Sequence, residues 1–75
     1  MGTVARVVEI SAESDTSFED AINAGISRAS ETLRNLRSAW IKEQEVTVAD
    51  GRISGYRVHL LVTFVLEGSE GEGAQ

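Results

Sequence analysis

A two-residue turn between two long β-prone segments constrains the fold of this chain more than any other feature. Asp50 and Gly51 separate residues 38–48 from residues 53–66. Asp-Gly is typical of a two-residue hairpin turn because both positions tolerate positive φ. The two segments are therefore predicted to be adjacent antiparallel strands. The predicted cross-strand pairs are Trp40 with Leu61, Lys42 with His59, and Gln44 with Arg57.

Apolar residues alternate along the second segment of this hairpin. The even positions from Tyr56 to Leu66 are apolar, which is typical of a strand that buries one face. On this pattern the carboxylates of Glu43 and Glu45 would share the buried side. The opposite face is predicted to be semi-polar, with Val46 adding to its apolar area. Its other predicted members are Ser38, Trp40, Lys42, Gln44, Arg57, His59, Leu61 and Thr63.

The first half of the chain predicts one strand and one helix. Residues 3–10 are rich in β-branched side chains, and residues 11–16 form a polar loop. Ser17 and Asp20 then resemble a capping box at the start of a helix whose apolar stripe runs from Phe18 to Leu36.

The order of these elements predicts an α+β fold of the type β-α-β-β. A right-handed crossover makes the first two strands parallel, and the hairpin places the third strand between them. The predicted sheet order is 1-3-2, with the helix packed on one face of the sheet. No element of the chain remains to cover the other face.

A chain of this size needs support beyond its own core. With 75 residues and no cysteine, it has neither disulfides nor thiolate metal sites. We therefore expect self-association. Residues 1–67 are predicted to form one domain, and residues 68–75, which are Gly, Ser, Glu, Ala and Gln, a disordered tail.

The charge and hydropathy of the sequence limit the kinds of partner that the protein is expected to bind. The net charge of −5 opposes nucleic-acid binding, which depends on basic side chains. The sequence has neither a long apolar run for a membrane span nor the pattern of a secretory signal, so we expect a cytoplasmic protein.

Few residues are suited to catalysis. His59 is the single histidine, there is no cysteine partner, and no glycine-rich phosphate motif is present, so we predict a protein that is not an enzyme. Glu43, Glu45 and Asp50 offer oxygen ligands for a hard cation such as calcium or magnesium if neighbouring copies contribute more. The alternative is that the two glutamates lie in water or pair with arginine.

Trp40 is the strongest candidate for binding a ligand. It is the one tryptophan, it is predicted to lie on the uncovered face, and the hydrogen-bonding groups of Gln44, Arg57 and His59 are predicted beside it. A flat stacking surface among polar groups favours an aromatic small molecule. The alternative is that Trp40 anchors an oligomer interface.

Several motifs in this order resemble the dodecins. They are Ser-Phe-Glu-Asp-Ala-Ile at 17–22, the Asp-Gly turn, Tyr-Arg-Val at 56–58 and Val-Thr-Phe-Val-Leu at 62–66. The resemblance covers residues 4–67. It implies a hollow homododecamer, and many dodecins sequester flavins between paired tryptophans on the uncovered sheet face.

Two positions depart from the pattern of flavin-binding dodecins. Ser38 occupies the position of the usual stacking tryptophan, and Trp40 lies about 7 Å further along the same face. Arg57 occupies the position of the usual flavin-contacting glutamine. The resemblance implies a branch of the family with a storage function, a flavin such as FMN or riboflavin as ligand, and Ser38 among the site residues. The alternative is a flavin-free structural cage that binds calcium or another hard cation.

Overall fold

The computed structural model describes residues 2–66 and contains one three-stranded sheet and one helix. The strand order is β1-β3-β2, and both outer strands run antiparallel to β3. The predicted β-α-β-β topology and strand order are therefore confirmed. The predicted tail at 68–75 lies outside the described residues. The elements are β1 (Ala5–Ser14), α1 (Phe18–Thr32), β2 (Leu36–Ala49) and β3 (Arg52–Val65).

The β2–β3 turn has the predicted conformation. Asp50 has φ of 53° and Gly51 has φ of 73°. Positive φ at both central residues gives the turn a twist that matches the flanking strands.

The helix begins as predicted and ends earlier. The Ser17 hydroxyl accepts a hydrogen bond from the Asp20 amide at 3.0 Å, which satisfies one of the unpaired amides of the first turn. The predicted stripe ran on to Leu36, but α1 ends at Thr32 and Leu36 begins β2. Asn35, with φ of 59°, reverses the chain, and its carbonyl accepts from the Val65 amide.

β1 is longer than predicted. Residues 11–14, expected in a loop, continue the strand because each pairs with a residue of β3, as far as Ser14 opposite Tyr56. Burial alternates along this extension, with Ala12 half-buried on the helix side and Glu13 exposed. Pairing with a long central strand thus outweighs the polar composition of this segment.

The core lies between α1 and the even-numbered positions of β3, as predicted. Val58, Leu60 and Val62 are fully buried with Ala21 of the helix. Gly25 permits this close packing, since a Cβ there would lie 3.1 Å from the Ala12 Cβ. The helix packs mainly on β1 and β3, so it leaves much of β2 uncovered.

Irregularities in β2 change the predicted register. The predicted pair Trp40–Leu61 is confirmed, but the register shifts between Ile41 and Glu43 and again between Thr47 and Val48. The predicted pairs Lys42–His59 and Gln44–Arg57 are therefore wrong. The observed pairs in this region are Glu43 with His59, Gln44 with Val58, Glu45 with Arg57, and Val46 with Tyr56.

Candidate ligand-binding face

The sheet surface opposite α1 is here called the open face. Its side chains form rows that run across β1, β3 and β2, because directly paired residues share a face. The four rows are Val7–Thr63–Ser38, Glu9–Leu61–Trp40, Ser11–His59–Glu43 and Glu13–Arg57–Glu45.

Trp40 dominates the apolar end of this face. Its side chain is 73% exposed, more than that of any other large hydrophobic residue among the described residues. Leu61 lies beside it on β3, and Ser38 occupies the neighbouring row. An exposed indole next to an aliphatic side chain provides a flat surface on which an aromatic ring can stack.

An ion-pair cluster occupies the other end of the open face. The Arg57 guanidinium lies 3.3 Å from Oε2 of Glu13 and 3.6 Å from Oε1 of Glu45. His59 Nε2 lies 3.4 Å from the same Glu45 oxygen. Three strands thus contribute to one connected cluster, in which two carboxylates flank one guanidinium.

A second ion pair crosses the sheet near Trp40. Lys42 lies at the register shift between Ile41 and Glu43, and its Nζ reaches Oε2 of Glu9 on β1 at 3.3 Å. This contact spans the central strand and places the Lys42 side chain on the open face. Glu9 lies in the same row as Trp40 and Leu61.

The structure brings together most of the predicted binding residues and separates one. Ser38, Trp40, Arg57 and His59 all lie on the open face. Gln44 does not, because its partner Val58 is in the core on the helix side. The register shift after Ile41 moves Gln44 to that side.

The same shift reverses two further predictions. Glu43 and Glu45, expected on the helix side, lie on the open face opposite His59 and Arg57. Val46, expected on the open face, lies on the helix side opposite Tyr56.

The predicted metal ligands do not form a site within one chain. Asp50 is in the hairpin turn, away from Glu43 and Glu45. Within residues 2–66 no group of three or more acidic or histidine side chains is arranged to hold a metal ion. Carboxylate oxygens suit calcium, so such a site would need ligands from a second copy.

The contribution of β1 to this face was not predicted from the sequence. Glu9 and Glu13 carry the carboxylates that pair with Lys42 and Arg57. Alternation within the predicted strand could have indicated Glu9, whereas Glu13 required the strand to continue beyond Ile10.

A groove lies outside the open face, on the helix side of the sheet. It has a volume of about 490 Å³ and runs between α1 and β1, with an apolar lining that includes Val8, Ile10 and Leu33. Arg28 is its one charged lining residue. Few polar groups are available there to orient a ligand, so the open face remains the candidate binding surface.

The hairpin extends beyond the end of β1 as an arm, residues 46–55. Val46 lies on the helix side opposite Tyr56, and beyond the register shift after Thr47 the exposed Val48 pairs with Ile53. The exposed fractions are 38% for Val46, 63% for Val48 and 56% for Ile53. The arm therefore presents an apolar surface beyond the reach of α1.

Within the described residues, no helix has the length and apolar character needed to cross a membrane. The one helix, α1, has 15 residues and carries charged side chains such as Glu19 and Arg28.

Comparisons with known proteins identify the family to which this fold belongs. The dodecin family model matches residues 4–67. Dodecin of Thermus thermophilus is 39% identical over 67 residues, which are 89% of this chain and 97% of that protein.

Solved structures agree with this assignment. The dodecin of Streptomyces davaonensis superimposes with a TM-score of 0.83 at 34% identity, covering 89% of this chain and 98% of the other. The calcium-chelating antigen calcium dodecin of Mycobacterium tuberculosis, which has a calcium-binding site, superimposes with a TM-score of 0.75 at 33% identity, covering 91% and 97%. The chain belongs to the dodecin family.

Proposed function

We propose that this chain is a cytoplasmic, non-enzymatic storage protein that self-associates and holds a flavin on its open face. Trp40 carries the proposal, because its indole is 73% exposed on a face that no element of the chain covers. Membership of the dodecin family, whose members are small binding proteins, supports binding rather than catalysis.

The residues of the open face suit a flavin. Trp40 would stack on the isoalloxazine ring, with Leu61 extending the apolar surface. His59 and Ser38 lie in the neighbouring rows and offer hydrogen bonds to ring heteroatoms, and Arg57 lies one row beyond His59. Gln44 is left out of this site because it lies on the helix side.

Self-association is supported by the apolar side chains that the fold leaves exposed. Val46, Val48 and Ile53 on the hairpin arm form a patch that a single copy does not bury. A domain of this size gains little stability from its own core, so burying the patch between copies would add stability. We propose the homododecamer typical of the family as the assembled form.

Native mass spectrometry of protein purified without added ligand tests both parts of the proposal. We expect a mass of many 8.1 kDa chains together with a flavin that dissociates on activation. An empty assembly would contradict the flavin assignment and support a structural cage. A stable monomer would contradict the assembly.

A hard cation is the second candidate ligand. Glu9, Glu13, Glu43 and Glu45 place four carboxylates on the open face, and calcium dodecin is a relative at 33% identity. Copies that met across a symmetry axis would bring more of these oxygens together, and Asp50 in the turn is a further candidate.

A thermal melt tests this second candidate. Binding to the folded state raises the midpoint by mass action, so calcium at about 1 mM should raise it and a chelator should lower it. Sodium chloride at matched ionic strength controls for screening. The same midpoint in calcium and chelator would exclude the cation site.

A further inference from the structure

Both cationic side chains near Trp40 on the open face, those of Lys42 and Arg57, already contact carboxylates. The relevant part of the face is its last three rows. These rows run from Glu9–Leu61–Trp40 to Glu13–Arg57–Glu45. The Arg57 guanidinium is shared between two carboxylates, and Lys42 reaches across the sheet to Glu9. A phosphate group that approached either cation would compete with these carboxylates for it and would be repelled by them.

The net charge of these rows also disfavours the binding of an anionic ligand. They contain four carboxylates and one guanidinium, and Lys42 reaches into them from the register shift, so the fixed charges leave an excess of two negative charges. The carboxylates are those of Glu9, Glu13, Glu43 and Glu45, and the cations are those of Lys42 and Arg57.

This charge lies close enough to Trp40 to act on a ligand there. Successive rows are about 7 Å apart, because side chains on one face repeat every two residues. The Glu45 carboxylate reaches His59, in the row adjacent to Leu61. Screening in physiological salt acts over about 8 Å, so a ligand at Trp40 remains within the field of the cluster.

We infer that this face selects neutral flavins and excludes phosphorylated ones, with Glu13 and Glu45 as the specificity-determining residues. The inference rests on the proposed function. Arg57 alone would be expected to attract a phosphate, but the two flanking glutamates cancel that attraction. The guanidinium instead holds the two carboxylates in place.

Parallel titrations with riboflavin and FMN test the selection, because the two ligands share one ring system and differ by the phosphate. We expect riboflavin to bind about tenfold more tightly than FMN at an ionic strength of about 20 mM. The ratio should approach one at about 0.5 M salt, where the cluster is screened.

The variant Glu45→Gln tests the assigned residue. It should raise the affinity for FMN relative to that for riboflavin severalfold, since it removes one negative charge and frees part of the Arg57 guanidinium. Glu31→Gln is the matched control, because it removes the same charge from an exposed position near the end of α1 and should change neither affinity. Circular dichroism establishes that both variants are folded.

The outcomes separate the two claims. Tighter riboflavin binding, reduced by salt and by Glu45→Gln, supports the selection. Equal or tighter FMN binding in low salt overturns the selection and leaves the flavin function intact. Binding of neither ligand overturns the proposed flavin function, and the selection with it.

Discussion

The two faces of the central strand differ completely in chemistry although they share one backbone. On the helix side, Val58, Leu60 and Val62 are fully buried. On the open side, Arg57 and His59 contact carboxylates, and Leu61 lies beside an exposed tryptophan. Alternation along β3 therefore places the core of the single chain on one face and the proposed recognition surface on the other.

Replacing the adjacent leucines of β3 tests whether its two faces differ in their contribution to stability. The expected change in the free energy of unfolding is the largest of those predicted here. Leu60→Ala should lower the free energy of unfolding by about 2–5 kcal/mol, because it leaves a cavity under the helix. Leu61→Ala removes the same atoms from a partly buried position on the open face and should cost less, about 1–2 kcal/mol, in ligand-free protein. Chemical denaturation at one fixed protein concentration measures both. Equal losses would contradict the division.

A charge on the hairpin arm tests whether assembly uses a surface separate from the open face. Val48→Asp should weaken association by about 1–3 kcal/mol per contact, because a carboxylate would be buried between copies. Light scattering should then show a lower mass than for the wild-type protein. Ser27→Asp adds the same charge on an exposed position of α1 and should leave the mass unchanged. An unchanged mass for Val48→Asp would exclude the arm as an interface.

The ion pair between Lys42 and Glu9 should contribute less to stability than the leucine core or the hairpin-arm contact. Lys42→Met keeps the length of the aliphatic chain and removes the contact with Glu9, whose carboxylate is 49% exposed. Because water screens such pairs, the loss of unfolding free energy should be about 1 kcal/mol or less. Thermal melts at low and high salt measure this loss. The midpoint of the wild-type protein should fall towards that of the variant as salt rises, because salt screens the ion pair that only the wild-type protein has. A larger, salt-independent loss would mean that Lys42 acts through packing.

The topology of this chain was predictable because independent local features agree. The Asp50-Gly51 turn, the Ser17 cap and the alternation along β3 each specify one element, and together they allow one sheet order. The end of β1 was harder to predict, since Ser11 and Glu13 look polar in isolation. Their pairing with β3 is a tertiary effect that a local pattern does not contain.

The candidate site was predictable only outside the stretch of β2 between two register shifts. The register counted from the turn is correct from Ser38 to Ile41, so Trp40 and Ser38 were placed correctly. Between Glu43 and Thr47 the pairing is offset by one residue, which moves Gln44 to the helix side and brings Glu45 to the open face. A one-residue shift exchanges faces because side chains alternate with a period of two, and nothing in this polar stretch marks its position.

A riboflavin titration of the wild-type protein and the Trp40→Ala variant tests the central claim most directly. For the wild-type protein, flavin and tryptophan emission should both be quenched to saturation at a fixed ligand-to-chain ratio. Trp40→Ala should lose about 1–3 kcal/mol of binding free energy, as is typical of an aromatic stacking contact. Unchanged flavin and tryptophan emission in the wild-type protein, with a reduced assembly mass for Trp40→Ala, would contradict the claim and identify Trp40 as an assembly contact instead.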